Sequence, residues 1–502
     1  MNPLIAICGT TGVGKSKLSI ELALKLSEKL YGGRWTGARV INADSMQVYT
    51  GLDIITNKVP LAERQGVEHV LMDIKQPGEQ YVVGEWVRDA IDIIDETHRR
   101  NQIPIVVGGT SYWIQHLIFP NRLVSPSASP SPSSVALPSS ELADSVEALP
   151  QTLRQLYDNL PEVPPSAAVD PEAAYSLHSL LSALDDRIAS RWHWRDTRKV
   201  LRSLHIAKDS SRKPSEIIDE QSQTMVVPRY RTLCFWLYAD LPIINPRLDE
   251  RVDEMIRLGL VDEIRSLQRL ATMNAAHNDP GKPEKQIDMS NIDFTKGIFQ
   301  SIGFKEFQTY LEASIPDGKL FEAAVETMKQ STRKYAKRQI SWIRNKLLPV
   351  VNRVNSTCSS LKEALTPTYL LDANELGIKW DTEVRERAEA ISIAFVEDED
   401  LPDPLSLSDT AERMLAVEEK LTDPTAVLEA RRKVVCPICS TDPLQPVMVE
   451  EGKEWAVHAK TRLHRRLLAK STATPHRIAR QAEDVTQAED EFSLEGSTAF
   501  TT

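Results

Sequence analysis

LIAICGTTGVGKSKLSIELAL, residues 4–24, is the stretch that decides the fold. Residues 4–8 are an unbroken apolar run, the pattern of a short strand buried on both faces. Gly9-Thr10-Thr11-Gly12-Val13-Gly14-Lys15-Ser16 then fits G-x-x-x-x-G-K-[ST] at every fixed position. Leu18, Leu22 and Leu26 follow at helical spacing. Strand, glycine loop and helix thus come in the order a phosphate cradle needs. Glycines let several N–H groups converge on one anion. The helix N-terminus adds about half a positive charge, and Lys15 a full one. The Ser16 hydroxyl is placed to ligate a magnesium ion bridging phosphate oxygens. The loop predicts binding of a di- or triphosphate.

Outward from the loop, short apolar strands alternate with amphipathic helices. Strands are expected at 39–43, 69–74, 103–107 and 232–238, with a helix over 80–99 striped by Val83, Val87, Ile91 and Ile94. This pattern predicts an α/β fold: a parallel P-loop sheet flanked by helices. Ligands in such sheets sit at the carboxyl ends of strands. The P-loop, Asp44 and the Gly108-Gly109-Thr110 turn each follow a strand, so all three are expected to share one cleft. A further helix is expected from about 245 to 270.

The chain has 502 residues, 41% of them hydrophobic, which suits two or three globular domains. Its net charge of −11 excludes a globally basic nucleic-acid binder, but the charge is uneven. Five cysteines, three of them isolated, make no disulfide framework and point to a reducing compartment. No apolar run reaches membrane-spanning length, so no membrane partner is expected. The first strand starts at residue 4, which leaves no room for a leader. The expected location is the cytosol or nucleus, with a mitochondrial pool served only through an alternative start.

The domain reading runs as follows. Residues 1–123 are the first part of the catalytic core, and 124–171, with its SPSASPSPSS run, a flexible insertion. Residues 172–350 are a helical insertion returning to the core. Residues 351–430 are linker with weak helices, 431–472 a small metal module, and 473–502 a disordered tail.

A helix expected over 320–348 carries Lys329, Arg333, Lys334, Lys337, Arg338, Arg344 and Lys346 with no acid between 329 and 346. Tyr335, Gln339 and Trp342 share one face of it. Uncompensated cations interleaved with aromatics that can stack on bases favour RNA over a merely solvated face. Cys436-x2-Cys439-x18-His458-x5-His464 has the ligand set of a closed, structural zinc site. Trp455, Lys460, Arg462, Arg465, Arg466 and Lys470 surround it, again suiting nucleic acid. His193, between two tryptophans, has no ligand partner near it and reads as structural.

GTTGVGKS, INADSMQVY, VGGTSYW, RDTRKVLRSL, SIGFKEF and YAKRQISWIR, in this order, resemble the tRNA dimethylallyltransferases, most closely the eukaryotic type with a C-terminal zinc finger. The likeness covers roughly 1–120, 176–350 and 430–470. It implies transfer of a dimethylallyl group from dimethylallyl diphosphate to N6 of adenosine 37 in the tRNA anticodon loop, by a monomer using Mg2+ for catalysis and Zn2+ for structure. Asp44 is then the candidate base for the N6 proton, although a helix N-cap is its other reading. Thr11 and Arg247 join it as catalytic candidates, Arg247 by resemblance. Gly9, Thr10, Thr11, Gly12, Val13, Gly14, Lys15 and Ser16 hold the diphosphate. Asp44, Ser45, Met46, Gln47 and Thr110 are placed against the tRNA, as are Lys334, Arg338, Gln339 and Trp342. Arg198, Arg202 and Arg251 are further cations for the diphosphate or the tRNA. Thr10 stands where the family usually has proline, and Ser111-Tyr112-Trp113 replaces the commoner Gly-Leu-Tyr. Two rivals remain: a small-metabolite kinase, disfavoured because strand 103–107 ends in Gly-Gly-Thr rather than a magnesium-binding Asp, and a non-catalytic RNA adaptor.

Overall fold

The protein, seen in a computed structural model, is described for residues 1–120, 139–223, 226–277, 294, 296–313, 317–356, 358, 360–417 and 423–471. It divides into two compact units, one of residues 1–123 and 225–422, the other of 124–224 and 423–502.

The first unit is built on a six-stranded sheet in the order β3-β2-β4-β1-β5-β6. Its strands are β1 (Pro3–Gly9), β2 (Ala38–Asn42), β3 (His69–Val70), β4 (Ile103–Val107), β5 (Arg231–Tyr238) and β6 (Thr368–Asp372). Every pairing is parallel. Parallel strands need helices on both faces, which explains why β1 and β4 are apolar at every position rather than alternating. On one face Ile5, Ile7, Val40, Ile105 and Phe235 pack with Leu18 and Leu22 of the P-loop helix, Lys15–Lys25, and with Leu26, which caps its end. On the other, Leu4, Ala6, Val106 and Trp236 meet Trp86, Ala90 and Ile94 of the helix Val83–Arg99. The carboxyl ends of β2, β4 and β1 are neighbours, which brings the Asp44 segment, the Gly-Gly-Thr turn and the P-loop to one edge.

Four expectations are corrected. The strand over 69–74 stops at Val70, because Leu71 and Asp73 take left-handed backbone (φ 58° for each); the Asn42 amide donates to Leu71 O there (2.9 Å). The helix over 245–270 is two helices, Leu241–Arg257 and Leu260–His277, broken at Gly259 (φ 101°). The stretch read as linker with weak helices, 351–430, is part of the fold over its described residues 360–417. These supply β6 and the helix Glu386–Glu397, whose Ile391 and Phe395 close the sheet's P-loop face. The insertion is ordered from Ser139: its helices Ser140–Glu147 and Gln151–Asp158 lie within the stretch read as flexible, and 124–138 fall outside the described residues, as does 473–502.

The basic helix spans Gly318–Trp342, then widens into one π turn, Ile343–Leu347, before Leu348–Asn355. Pro349 lacks the N–H that an α-helix would direct at Asn345, and a wide turn relieves the ring's clash with that carbonyl.

The second unit holds helices Pro171–Leu184, Thr197–Ser210 and Pro214–Gln223 around Leu177, Leu181, Val200 and Leu204. The metal module is not a free-standing tail piece. Its hairpin, β7 (Lys433–Val435) with β8 (Met448–Glu450), sits on these helices. Trp194 Nε1 donates to Pro446 O (2.8 Å), and Met448 clusters with Ala174 and Trp194. His193 is structural, its Nδ1 accepting the Arg195 N–H (3.1 Å).

Candidate active site and metal centre

The P-loop closes over the carboxyl end of β1. Gly14 has φ 93°, and a Cβ there would lie 2.4 Å from the Trp380 ring, so only glycine fits. Trp380, 2% exposed, is fixed from the other side: its Nε1 donates to Glu21 Oε2 (3.2 Å), and Lys17 Nζ stands 4.7 Å above its ring. Lys15 Nζ donates to Thr10 O (2.6 Å). Thr11, Gly12, Gly14, Lys15, Ser16, Asp44, Gln47, Asn57, Gly109, Arg247 and Arg251 all border one cleft of about 870 Å³.

The two arginines of the helix Leu241–Arg257 that border the cleft, Arg247 and Arg251, differ in use. Arg247 borders the cleft, yet its Nη1 donates to Ala373 O (2.8 Å) and its Nη2 to Asn374 O, so its fork ties the end of β6. Arg251 points at the loop: Nη1 is 3.4 Å from Thr11 Oγ1, and Nε donates to Asn57 Oδ1 (2.7 Å). Asn57 is held in turn. Gln47 Nε2 donates to its carbonyl (3.0 Å), and the Glu263 carboxylate accepts the Ile54 and Ile55 N–H groups just before it. Burial pushes Lys15 down to about 8 and Arg251 down to about 10. Two cations poorly solvated in one cleft are primed for an anion, whose charge would replace the lost water.

Asp44 borders the same cleft, near enough for both cations to act on its charge. Burial raises its carboxyl above the usual range, opposed by the Met46 N–H on Oδ1 (3.0 Å) and by Lys15 and Arg251. A buried carboxyl whose pKa is raised, bordering a cleft, is a candidate proton acceptor. Thr110 Oγ1 accepts the Ser45 N–H (3.2 Å), so the Gly-Gly-Thr turn holds the Asp44 segment in place. Met46 is partly buried against the core.

The basic helix divides by face. Lys329 pairs with Asp253 (2.7 Å) and Arg333 with Asp249 (2.6 Å), so these two cations are compensated within the chain, against the sequence expectation. Lys334, Lys337 and Arg338 remain on the exposed face. Trp342 meets Tyr112 edge-on (5.5 Å between centroids). Gln339 does not face outward: it is 4% exposed, with Oε1 on the Thr11 N–H (2.9 Å) and Nε2 on Gly109 O (3.0 Å). Arg198 and Arg202 belong to the second unit, on the exposed side of Thr197–Ser210.

Cys436, Cys439, His458 and His464 converge, their ligand atoms all within 4.8 Å of one another. Cys436 Sγ is 3.4 Å and Cys439 Sγ 3.6 Å from His464 Nδ1, which is 3.3 Å from His458 Nε2. Zinc bonds of ~2.3 Å to sulfur and ~2.0–2.1 Å to nitrogen, set tetrahedrally, give S···N edges of about 3.5 Å and N···N edges of about 3.3 Å. The donor set fits a tetrahedral ion.

A family profile described as IPP transferase matches residues 47–346. The tRNA dimethylallyltransferase of Schizosaccharomyces pombe is 34% identical over 472 residues, covering 93% of this chain and 94% of that protein. The chain belongs to the tRNA dimethylallyltransferase family. The family enzyme of Saccharomyces cerevisiae is 33% identical, with 93% and 92% covered. A solved eukaryotic dimethylallyltransferase acting on tRNA superposes with a TM-score of 0.69 at 31% identity, covering 96% of this chain and all of that one. The parallel-sheet fold and the metal-binding cluster accord with this membership. Among the described residues no helix is long and apolar enough to cross a membrane.

Sequence reading missed Asn57, which borders the cleft, and Glu263, Trp380 and Gln339, which hold the segments around it. Asn57 lies in the segment after the Asp44 motif, where an amide closely following Ile54 and Ile55 was the available signal. Trp380 had none, lying 366 positions beyond Gly14.

Proposed function

We propose that this chain transfers a dimethylallyl group from dimethylallyl diphosphate to N6 of adenosine 37, beside the anticodon of tRNA. The observation that carries this is that desolvated Lys15 and Arg251 and a raised Asp44 border one cleft, in a member of this family.

In this reading the P-loop amides, Lys15 and Arg251 bind the diphosphate, with Thr11 oriented beside Arg251. The adenine N6 lone pair, delocalised into the ring, attacks the allylic carbon; the N6–C bond forms as the C–O bond breaks and pyrophosphate leaves. Asp44 takes the N6 proton. Charge develops on the leaving oxygen, where fixed cations lower the barrier. A magnesium ion held by Ser16 and the phosphates would add Lewis-acid stabilisation of that charge. Reaching N6 requires the base to leave its stack, while Lys334, Lys337 and Arg338 neutralise stem phosphates. Thr110 and Ser45, Met46 and Gln47 line the adenosine side. Arg247 acts through the fold, not on the diphosphate. Arg198 and Arg202 contact tRNA from the second unit. Zinc at the Cys2His2 cluster holds the finger's shape. On this reading the enzyme works as a monomer in the cytosol or nucleus.

The test is mass spectrometry of tRNA nucleosides after incubation with the protein, magnesium and dimethylallyl diphosphate. One adenosine is expected to gain a C5H8 unit. ATP-dependent phosphoryl transfer with no prenylated adenosine would decide for a kinase.

A further inference from the structure

We propose that Gln339 is a positioning residue for the diphosphate: a crosspiece that fixes the P-loop and the Gly-Gly-Thr turn at once. This rests on the reading of the P-loop as a diphosphate cradle.

The geometry is specific. Gln339 sits on the inner face of the basic helix, 4% exposed. Its Oε1 accepts the Thr11 N–H at 2.9 Å and its Nε2 donates to Gly109 O at 3.0 Å. The amide can be oriented only one way, because one partner is a donor and the other an acceptor. A Cβ on Gly109 would stand 2.6 Å from Gln339 Nε2 and 3.3 Å from Asp44 Oδ2, so the turn is stripped to glycine where the crosspiece lands. The next residue, Thr110, holds the Ser45 N–H (3.2 Å). A single side chain therefore spans from the loop expected to bind the leaving group to the turn that fixes the Asp44 segment.

The consequence for binding follows from the peptide plane. With its N–H committed to Gln339, the Thr11 peptide cannot rotate, and Thr11 Oγ1 stays beside Arg251 Nη1 (3.4 Å). The amides that follow, from Gly12 to Ser16, are left to converge on the anion. Without Gln339 the half-buried Thr11 N–H and the buried Gly109 carbonyl lose partners, and the loop samples other conformations before the diphosphate arrives. An anion then binds only the fraction correctly formed. A residue that instead touched RNA would leave anion affinity unmoved.

Magnesium pyrophosphate is the probe, titrated calorimetrically into the full-length protein, with tRNA affinity measured in parallel and thermal melting as a check on folding. Gln339→Met keeps the volume without the two bonds; pyrophosphate affinity is expected to fall about tenfold with tRNA affinity unchanged. Gln339→Glu opposes the Gly109 carbonyl and adds a negative charge, so the fall is expected to be larger. The proposal is overturned if Gln339→Met weakens tRNA but not pyrophosphate, if it weakens both alike, or if it changes neither. Failure of the wild-type protein to bind pyrophosphate removes the cradle reading and this proposal together. Normal wild-type binding with an indifferent Gln339→Met removes this proposal alone. Should both variants melt at low temperature, hydrogen exchange of the Thr11 amide in the ligand-free wild type decides: protection supports the crosspiece, and exchange at the rate of an open amide refutes it.

Discussion

Two arginines one helical turn apart separate a chemical role from a structural one, and their replacement by alanine makes the contrast measurable. Arg251 is desolvated and aimed at Thr11, so Arg251→Ala should remove a charge-assisted contact to the leaving diphosphate. Such contacts are worth ~1.5–3 kcal/mol, which at 1.4 kcal/mol per decade is about 10–100-fold in kcat/KM for dimethylallyl diphosphate. Arg247 donates instead to the carbonyls of Ala373 and Asn374. Its loss leaves those carbonyls short of partners, at ~1–3 kcal/mol of stability, and should leave kcat/KM within a few-fold once the folded fraction is matched. The assay is single-turnover prenylation of tRNA at subsaturating dimethylallyl diphosphate, with melting curves for both variants. A larger kinetic loss in Arg247→Ala than in Arg251→Ala would refute the reasoning, because it would put the working cation on the residue whose fork is already engaged.

The pH profile should be bell-shaped. Asp44 acts deprotonated, so its raised pKa costs activity as pH falls, by about tenfold per unit on the acid limb; Lys15 acts protonated, so kcat/KM falls as pH rises through about 8. Lys15→Arg should move the alkaline limb upward, since guanidinium stays charged, and a profile unchanged by that substitution would contradict the assignment. Gly14→Ala drives a Cβ to 2.4 Å from Trp380 and should abolish pyrophosphate binding; Trp380→Ala in the same chain should restore part of it, and no restoration would mean the collision is not the cause. Chelation of zinc, or Cys436→Ser, should weaken tRNA binding while leaving pyrophosphate affinity unchanged, because the metal module belongs to the other unit; metal analysis should find one zinc per chain.

The sheet's first half was legible because local rules agree there: an apolar run, a glycine loop and a helical stripe fix β1, the P-loop and its helix without outside help. Asp44 and the start of the Gly-Gly-Thr turn reach one cleft because parallel topology puts strand ends together; Gly108 and Gly109 line it, whereas Thr110 stands behind them, on the Ser45 N–H. The second half was not legible. β6 is five residues, Thr368–Asp372, flanked by polar sequence, and so short an apolar run means a strand only when β5 is already there to receive it. Trp380 follows it for the same reason, and the Gly14 contact it makes is invisible at that separation. The charge on the basic helix was misread where Asp249 and Asp253, 76 or more residues earlier, neutralise Arg333 and Lys329. Gln339 was read outward because helical spacing gives a face but not a direction. The metal ligands were legible from spacing, whereas the anchoring of their hairpin on Trp194 needed the fold.

The measurement that bears most directly on the account is single-turnover prenylation by Asp44→Ala beside its tRNA affinity. Loss of the proton acceptor should slow transfer by about 10²–10⁴-fold with tRNA binding nearly intact. Transfer that persists within a few-fold of wild type would contradict the assignment of Asp44 as base, and with it the chemistry proposed for the cleft.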